Sequence, residues 1–188
     1  MARWEPDARG RMIDAALELF AEGGFERTTA LEIAKQAGVT ERTFFRHFTD
    51  KREVLFDRTD ALQTQVIAAI EAAPVDVAPL DAVCAAIGYA GILFDRVHAR
   101  RRDAVISANP GLLERELLKL NRLAAAIADA LRARGVPELT ATVSAEAGVA
   151  VFKISFARWI ADDPDSDFAG SVQKVRAELG AQVGEPAT

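Results

Sequence analysis

Apolar residues recur along most of this chain at the spacing of helices that bury one face. Ile13, Ala16, Leu17 and Phe20 fall at i, i+3, i+4 and i+7, the stripe of an amphipathic helix. Gly23 and Gly24 close it, because glycine enters the left-handed conformation that ends helices. Thr29 followed by Glu32 is a capping box, in which each side chain takes a backbone N–H of the other residue. It predicts a second helix over residues 30–37, ended by Gly38. Thr40 opens a short third helix that reaches His47. Asp50 with Glu53 reads as another capping box and opens a fourth helix carrying Val54, Leu55, Leu62 and Val66. Two prolines in residues 74–79, PVDVAP, mark a connector. Beyond it come an alanine-rich segment over 80–98, a short piece near 101–108 and a break at 109–111, NPG. A long helix over 112–134 follows, with Leu113, Leu117, Leu120, Leu123, Ala124 and Ile127 on one face. It ends at 135–137, GVP. A further helix over 138–161, a turn at 162–167 and a last helix with Phe168, Val172, Val175 and Leu179 complete the pattern. No alternation of strand length occurs. The expectation is an all-α chain of about nine helices in two domains, 1–56 and 57–188, linked by the helix that starts near residue 50.

Composition narrows the class. The chain has 188 residues, of which 50% are hydrophobic and 27% charged, which suits one or two folded domains and excludes a disordered or collagen-like chain. Cys84 is the single cysteine, so neither an intrachain disulfide nor a Cys-rich zinc site is available. Lying among alanines, it reads as a small buried apolar residue. His47 and His98 have no cluster of Cys or carboxylates around them, so no metal site is expected. The N-terminus lacks the apolar region of a secretory signal. AVCAAIGYAGILF is too short to span a bilayer, and AGVAVFKISFARWI carries Lys153 and Arg158. A cytoplasmic protein without a membrane partner is the expectation. There is no nucleophile elbow, glycine-rich phosphate loop or metal motif, so neither catalysis nor a cofactor is expected. A net charge of −5 argues against indiscriminate coating of nucleic acid.

A local exception lies in residues 28–56. Two short helices packed steeply need a small residue where their backbones approach, here Ala34. They also need a turn residue tolerant of positive φ, here Gly38, and an apolar anchor on the second helix, here Phe44. Ile33, Val39 and Phe48 complete the apolar side. This is the geometry of a helix-turn-helix, whose second helix enters the major groove. The other face of that helix carries Glu41, Arg42, Thr43, Phe45, Arg46 and His47, with Lys51 just beyond. Over residues 40–52, Arg42, Arg46, Lys51 and Arg52 stand against Glu41 and Asp50, a local balance of +2 that suits contact with phosphates.

Residues 10–56 resemble the N-terminal domain of the TetR family of bacterial transcriptional regulators. The matching pieces are AALELFAEGGFERTT, IAKQAGVTERTFFRHF and DKREVL. The resemblance implies an all-α homodimer with an N-terminal helix-turn-helix and a C-terminal domain that senses ligand and dimerises. It implies phosphate contacts from Thr43, His47 and Lys51, and contacts to base edges or backbone from Glu41, Arg42 and Arg46. Thr29 and Thr40, at the starts of the two short helices, join the DNA-facing set. Phe45 departs from the family, where Tyr is common. Without a hydroxyl it offers only apolar contact, for instance to a thymine methyl.

The C-terminal half is less decided. Phe152, Phe156 and Trp159 recur at i, i+4 and i+7, a stripe that suits a core, a ligand pocket or both. Tyr89, Phe94 and Leu120 are further candidate pocket walls. Lys153 and Arg158 face either solvent or an anionic ligand group. Arg100, Arg101 and Arg102 read as a solvated face that also complements a helix dipole. Phe168, Val172, Val175 and Leu179 are assigned to a four-helix interface with a second copy of the chain. The expected function is a ligand-responsive regulator, a repressor that binds a palindromic double-stranded DNA operator and is released by a small, mostly hydrophobic effector. The alternative is an all-α small-molecule binding protein or enzyme whose N-terminal helices no longer touch DNA.

Overall fold

Each early helix begins and ends on the residues whose chemistry requires it. In a computed structural model that describes residues 7–161 and 166–184, α1 spans Ala8–Gly23, and Gly24 closes it at φ 82° with its N–H on the Phe20 carbonyl. The Thr29–Glu32 capping box forms in full and starts α2, Ala30–Gln36. Gly38 takes φ 70° in the turn, and Thr40 caps α3, Glu41–His47, by accepting the Thr43 N–H. The remaining helices are α4 (Thr59–Ala72), α5 (Pro79–Ala90), α6 (Arg96–Ser107), α7 (Pro110–Ala133), α8 (Glu138–Ala161) and α9 (Phe168–Gly184). The described residues contain no strand. Of the turn expected at 162–167, only the last two residues lie among them.

Two segments differ from the sequence pattern. The fourth helix does not start at Asp50: Glu53–Phe56 form a single 3-10 turn, and α4 begins at Thr59. Val54, Leu55 and Phe56 are all buried, and three successive residues of an α-helix sweep about 200°, too wide for one buried face. The Leu55 carbonyl, which a continuous helix would offer to Thr59, instead accepts from Arg102 Nε at 2.6 Å. The alanine-rich stretch also divides earlier than its composition suggests. α5 stops at Ala90, a 3-10 turn covers Gly91–Leu93, and α6 is one helix from Arg96.

The chain forms two units. The first takes in the stretch up to Asp57 and, from farther along the chain, Val97–Glu116; the second holds Arg58–Arg96 and the chain from Leu117 onward. The core of the first unit is Met12, Ile13, Ala16, Leu17, Phe20, Phe25, Ile33, Ala34, Phe44, Phe48 and residues 54–56, closed by Val105, Ile106 and Leu112.

In the second unit α5 lies against α4, α8 and α9, and small residues permit the approach. A Cβ on Gly148 would come within 2.3 Å of Val83 Cγ1, and Gly91 lies directly beneath the Phe168 ring. α8 and α9 are tied by two buried serines, Ser171 Oγ donating to the Ser155 carbonyl at 3.0 Å and Ser155 Oγ to that of Ser171 at 3.4 Å. Cys84 is buried on α5, and burial pushes its thiol up to about 11.

Gly148→Ala is expected to lower stability by about 1–3 kcal/mol, because Val83 is itself fully buried and its displacement strains the α5–α8 contact. Chemical denaturation checks this; an unchanged midpoint would mean that the contact yields freely.

Candidate nucleic-acid interface

The outward face of α3 is set by what its inward face buries. Phe44 is fully buried and Phe48 nearly so, their rings 5.4 Å apart. Ala34, also fully buried, lets α2 approach, and the Val39 N–H closes the turn on the Ala34 carbonyl at 2.9 Å. With that face fixed, Glu41, Arg42, Phe45 and Arg46 are exposed, while Thr43 and His47 are half-buried. Arg42, Phe45 and Arg46 follow one another at i, i+3 and i+4 on α3 and form one exposed strip.

The threonines serve the helices first. Thr29 Oγ1 accepts the Glu32 N–H at 3.2 Å, and both its own N–H and its hydroxyl donate to Glu32 Oε2 at 2.8 Å. Hydrogen bonds from the Thr29 backbone and hydroxyl hold the Glu32 carboxyl below its ordinary value. Thr40 Oγ1 accepts the Thr43 N–H at 3.2 Å and lies 3.0 Å from Thr43 Oγ1. Both capping residues are exposed at the starts of α2 and α3.

Lys51 differs from the expectation of a phosphate contact. Its ammonium donates to the carbonyls of Phe25 at 2.7 Å, Thr28 at 2.9 Å and Glu26 at 3.1 Å, and sits 4.4 Å from the Phe25 ring centroid. An ammonium has three hydrogens, and these carbonyls account for all of them. The side chain ties the loop between α1 and α2 to the segment after α3. Its neighbour Arg52 turns back onto Asp50, at 3.0 Å from Nη2. Burial raises the Asp50 carboxyl, but bonds from the Arg52 side chain and the Glu53 and Arg52 N–H groups outweigh it and hold the group low.

Arginines far along the sequence complete this unit. Arg102, half-buried and not part of a solvated run, takes the Leu55 carbonyl and pairs with Glu116 at 2.8 Å. Arg115 Nε donates to Glu53 at 2.7 Å, so the carboxylate read as half of a capping box serves a tertiary ion pair. Both guanidinium groups lie over Phe56, at 5.3 and 5.9 Å. These partners stand 47 and 62 residues apart, beyond any local spacing rule.

In the second unit, Phe94, Phe152, Phe156 and Trp159 do come together, with ring centroids 5.6–6.2 Å apart in the contacting pairs. Phe168, expected at a dimer interface, belongs to the same cluster, 5.2 Å from Phe94. Phe168 and Val172 are 4% and 0% exposed. They are therefore core residues of their own chain, and of the four assigned to the interface Val175 and Leu179 are half-buried. The apolar period marked the face that turns inward. Tyr89 is 67% exposed, unlike the wall of an enclosed pocket, and Leu120 is half-buried. Lys153 and Arg158 are exposed on α8. α8 is long and apolar enough to cross a membrane by length and composition, with one face packed on α5 and α9 and Leu139, Val143 and Ile154 exposed on others. Among the described residues, no group of three or more His, Cys, Asp or Glu could hold a metal ion.

Residues 12–57 match the profile described as bacterial regulatory proteins, tetR family. The HTH-type transcriptional regulator TcmR of Streptomyces glaucescens is 37% identical over 112 residues, 60% of this chain and 46% of TcmR. SrpR of Pseudomonas putida, also an HTH-type transcriptional regulator, is 47% identical over 49 residues, 26% of this chain and 23% of SrpR. The chain thus spans less than half the length of these relatives. Among solved structures, SmeT in complex with triclosan superposes at a TM-score of 0.62 with 18% identity, over 96% of this chain and 99% of SmeT. SmeT is described as the repressor of the Stenotrophomonas maltophilia multidrug efflux pump SmeDEF. At that identity the likeness establishes the fold.

Lys51→Met is expected to lower stability by about 1–2 kcal/mol through the lost carbonyl bonds. The salt slope of DNA binding is expected to stay within about 0.3 of wild type. Titrations across salt concentrations check this, since a slope reduced by about one would return the ammonium to a phosphate.

Proposed function

We propose that the chain is a member of the TetR family, whose profile its residues 12–57 match, and that it acts as a ligand-responsive transcriptional repressor. In this reading two copies bind a palindromic operator, and a small, mostly hydrophobic molecule bound in the C-terminal unit releases them. One observation carries the reading: α3, capped by Thr40 and anchored by Phe44, presents Arg42 and Arg46 outward on a chain of net charge −5. Local cations on an acidic chain favour selective contact over coating. Arg42 and Arg46 have the reach and donor geometry to pair with guanine, and Thr43 and His47 flank them toward the phosphates.

The exposed side of α8 supports association with a second copy. Val143, Ala147, Ala150, Ile154 and Ala157 recur at alternating intervals of four and three, the period of a helix–helix seam. Such a pair is twofold symmetric, which sets two α3 helices roughly 34–36 Å, or a multiple of that, apart along the duplex.

The capture of triclosan by SmeT and the aromatic cluster around Phe94 support a hydrophobic effector. That effector has to prefer a form whose α3 helices no longer match the groove spacing, since equal affinity for both forms shifts nothing.

Selection of bound sites from random duplex DNA, with and without a panel of hydrophobic compounds, tests the reading. A palindrome whose recovery falls with one compound supports it; no enriched sequence at low salt refutes it and leaves a helical small-molecule binder. On the selected site, Arg42→Ala is expected to cost about 1–3 kcal/mol and relax preference at one base pair, with binding to random DNA much less affected. Ile154→Asp is expected to give monomers in light scattering; an intact dimer would move the interface off this face of α8.

A further inference from the structure

Phe45 is an aromatic ring in the middle of a charged strip. It is 51% exposed, with Arg42 one turn before it and Arg46 beside it. An aromatic carbon surface gains little from water and nothing from phosphate, so the electrostatics that explain the arginines do not explain this residue. Its ring is nonetheless held: it stands edge-on to Phe44 at 5.4 Å and 88°, and Phe44 is fully buried. The exposed ring is thus braced from behind by the core of the unit.

A major groove offers one apolar group at its base edges, the 5-methyl of thymine. Over a purine edge or the cytosine amino group, the ring would strip water from donors and acceptors it cannot satisfy. Resting on the operator-binding reading above, we infer that Phe45 is a specificity-determining residue that recognises thymine through its 5-methyl group. Arg42 lies three residues away, about 4.5 Å along the helix axis, close to the rise of one base pair. Guanines paired with Arg42 and Arg46 therefore fall within about two base pairs of that thymine, and each half-site combines the two bases.

The test uses the full-length chain and its selected operator. Each thymine is replaced singly by uracil, which removes only the methyl, and binding is followed by fluorescence anisotropy. At one thymine per half-site the replacement is expected to weaken binding by about fourfold, the worth of one buried methyl. In Phe45→Ala the same replacement is expected to have no effect. Phe45→Gln, whose amide pairs instead with adenine, serves as a second variant and is also expected to ignore the methyl. In wild type, a 5-methylcytosine–guanine pair at that position is expected to bind more tightly than cytosine–guanine. Tolerance of uracil at every position, or an equal loss in wild type and both variants, would overturn the role of Phe45 while leaving the repressor intact. Failure to select any operator would overturn the repressor reading itself.

Discussion

Seven residues cannot sustain a helix in water, where the cost of the first turn exceeds what so few hydrogen bonds return. α3 therefore exists only because Phe44 is withdrawn into the core of its unit, and every other property of the candidate site follows from that burial. With Phe44 inward, helical geometry directs Arg42, Phe45 and Arg46 outward. The Thr40 cap and the positive φ of Gly38 set where the helix starts and the angle at which it leaves α2. The exposed face proposed to meet DNA is in this sense the reverse side of a hydrophobic contact.

Charge is distributed around that contact in two ways. Lys51, Arg102 and Arg115 turn their heads onto carbonyls, carboxylates and ring faces: Lys51 supplies donors to carbonyls of the loop between α1 and α2, Arg102 to the Leu55 carbonyl in the 3-10 turn, and Arg115 to the Glu53 carboxylate. Arg42 and Arg46 lie on the exposed strip instead. Cations of the same type serve opposite ends because their surroundings differ: in a loop or a 3-10 turn carbonyls need donors, whereas on the free face of a capped helix they do not.

The second unit is assembled by close approach more than by bulk. α5 is lined by Ala82, Val83, Cys84, Ala86 and Ala90, and α8 meets it at Gly148. α8 and α9 are held by the reciprocal bonds of Ser155 and Ser171. Aromatic bulk gathers around Phe94, where rings from α8 and the start of α9 meet edge to face, a geometry that aromatic quadrupoles favour. The same α8 keeps an apolar seam on its other side, so a helix with almost no hydrophobic asymmetry has two separate faces to account for.

How far the sequence reached depended on the range of the forces involved. The caps at Thr29 and Thr40, the glycine stops, the all-helical class and the identities of the residues on α3 were legible from spacing, because helix ends and faces are set within four residues. Other features were not. Asp50 does accept the Glu53 N–H at 3.1 Å as a cap would, yet Arg115 takes the Glu53 carboxylate and Arg102 the Leu55 carbonyl, and the segment is a 3-10 turn where the spacing predicted a helix. Lys51 looked like a free cation until three carbonyls from a distant loop enclosed it. Phe168 and Val172 showed an apolar period, and a period says that a face is buried without saying whether the same chain or another copy buries it. Local hydrogen bonding decided the elements; long-range packing and the competition for unsatisfied carbonyls decided which side chains were left to face a partner.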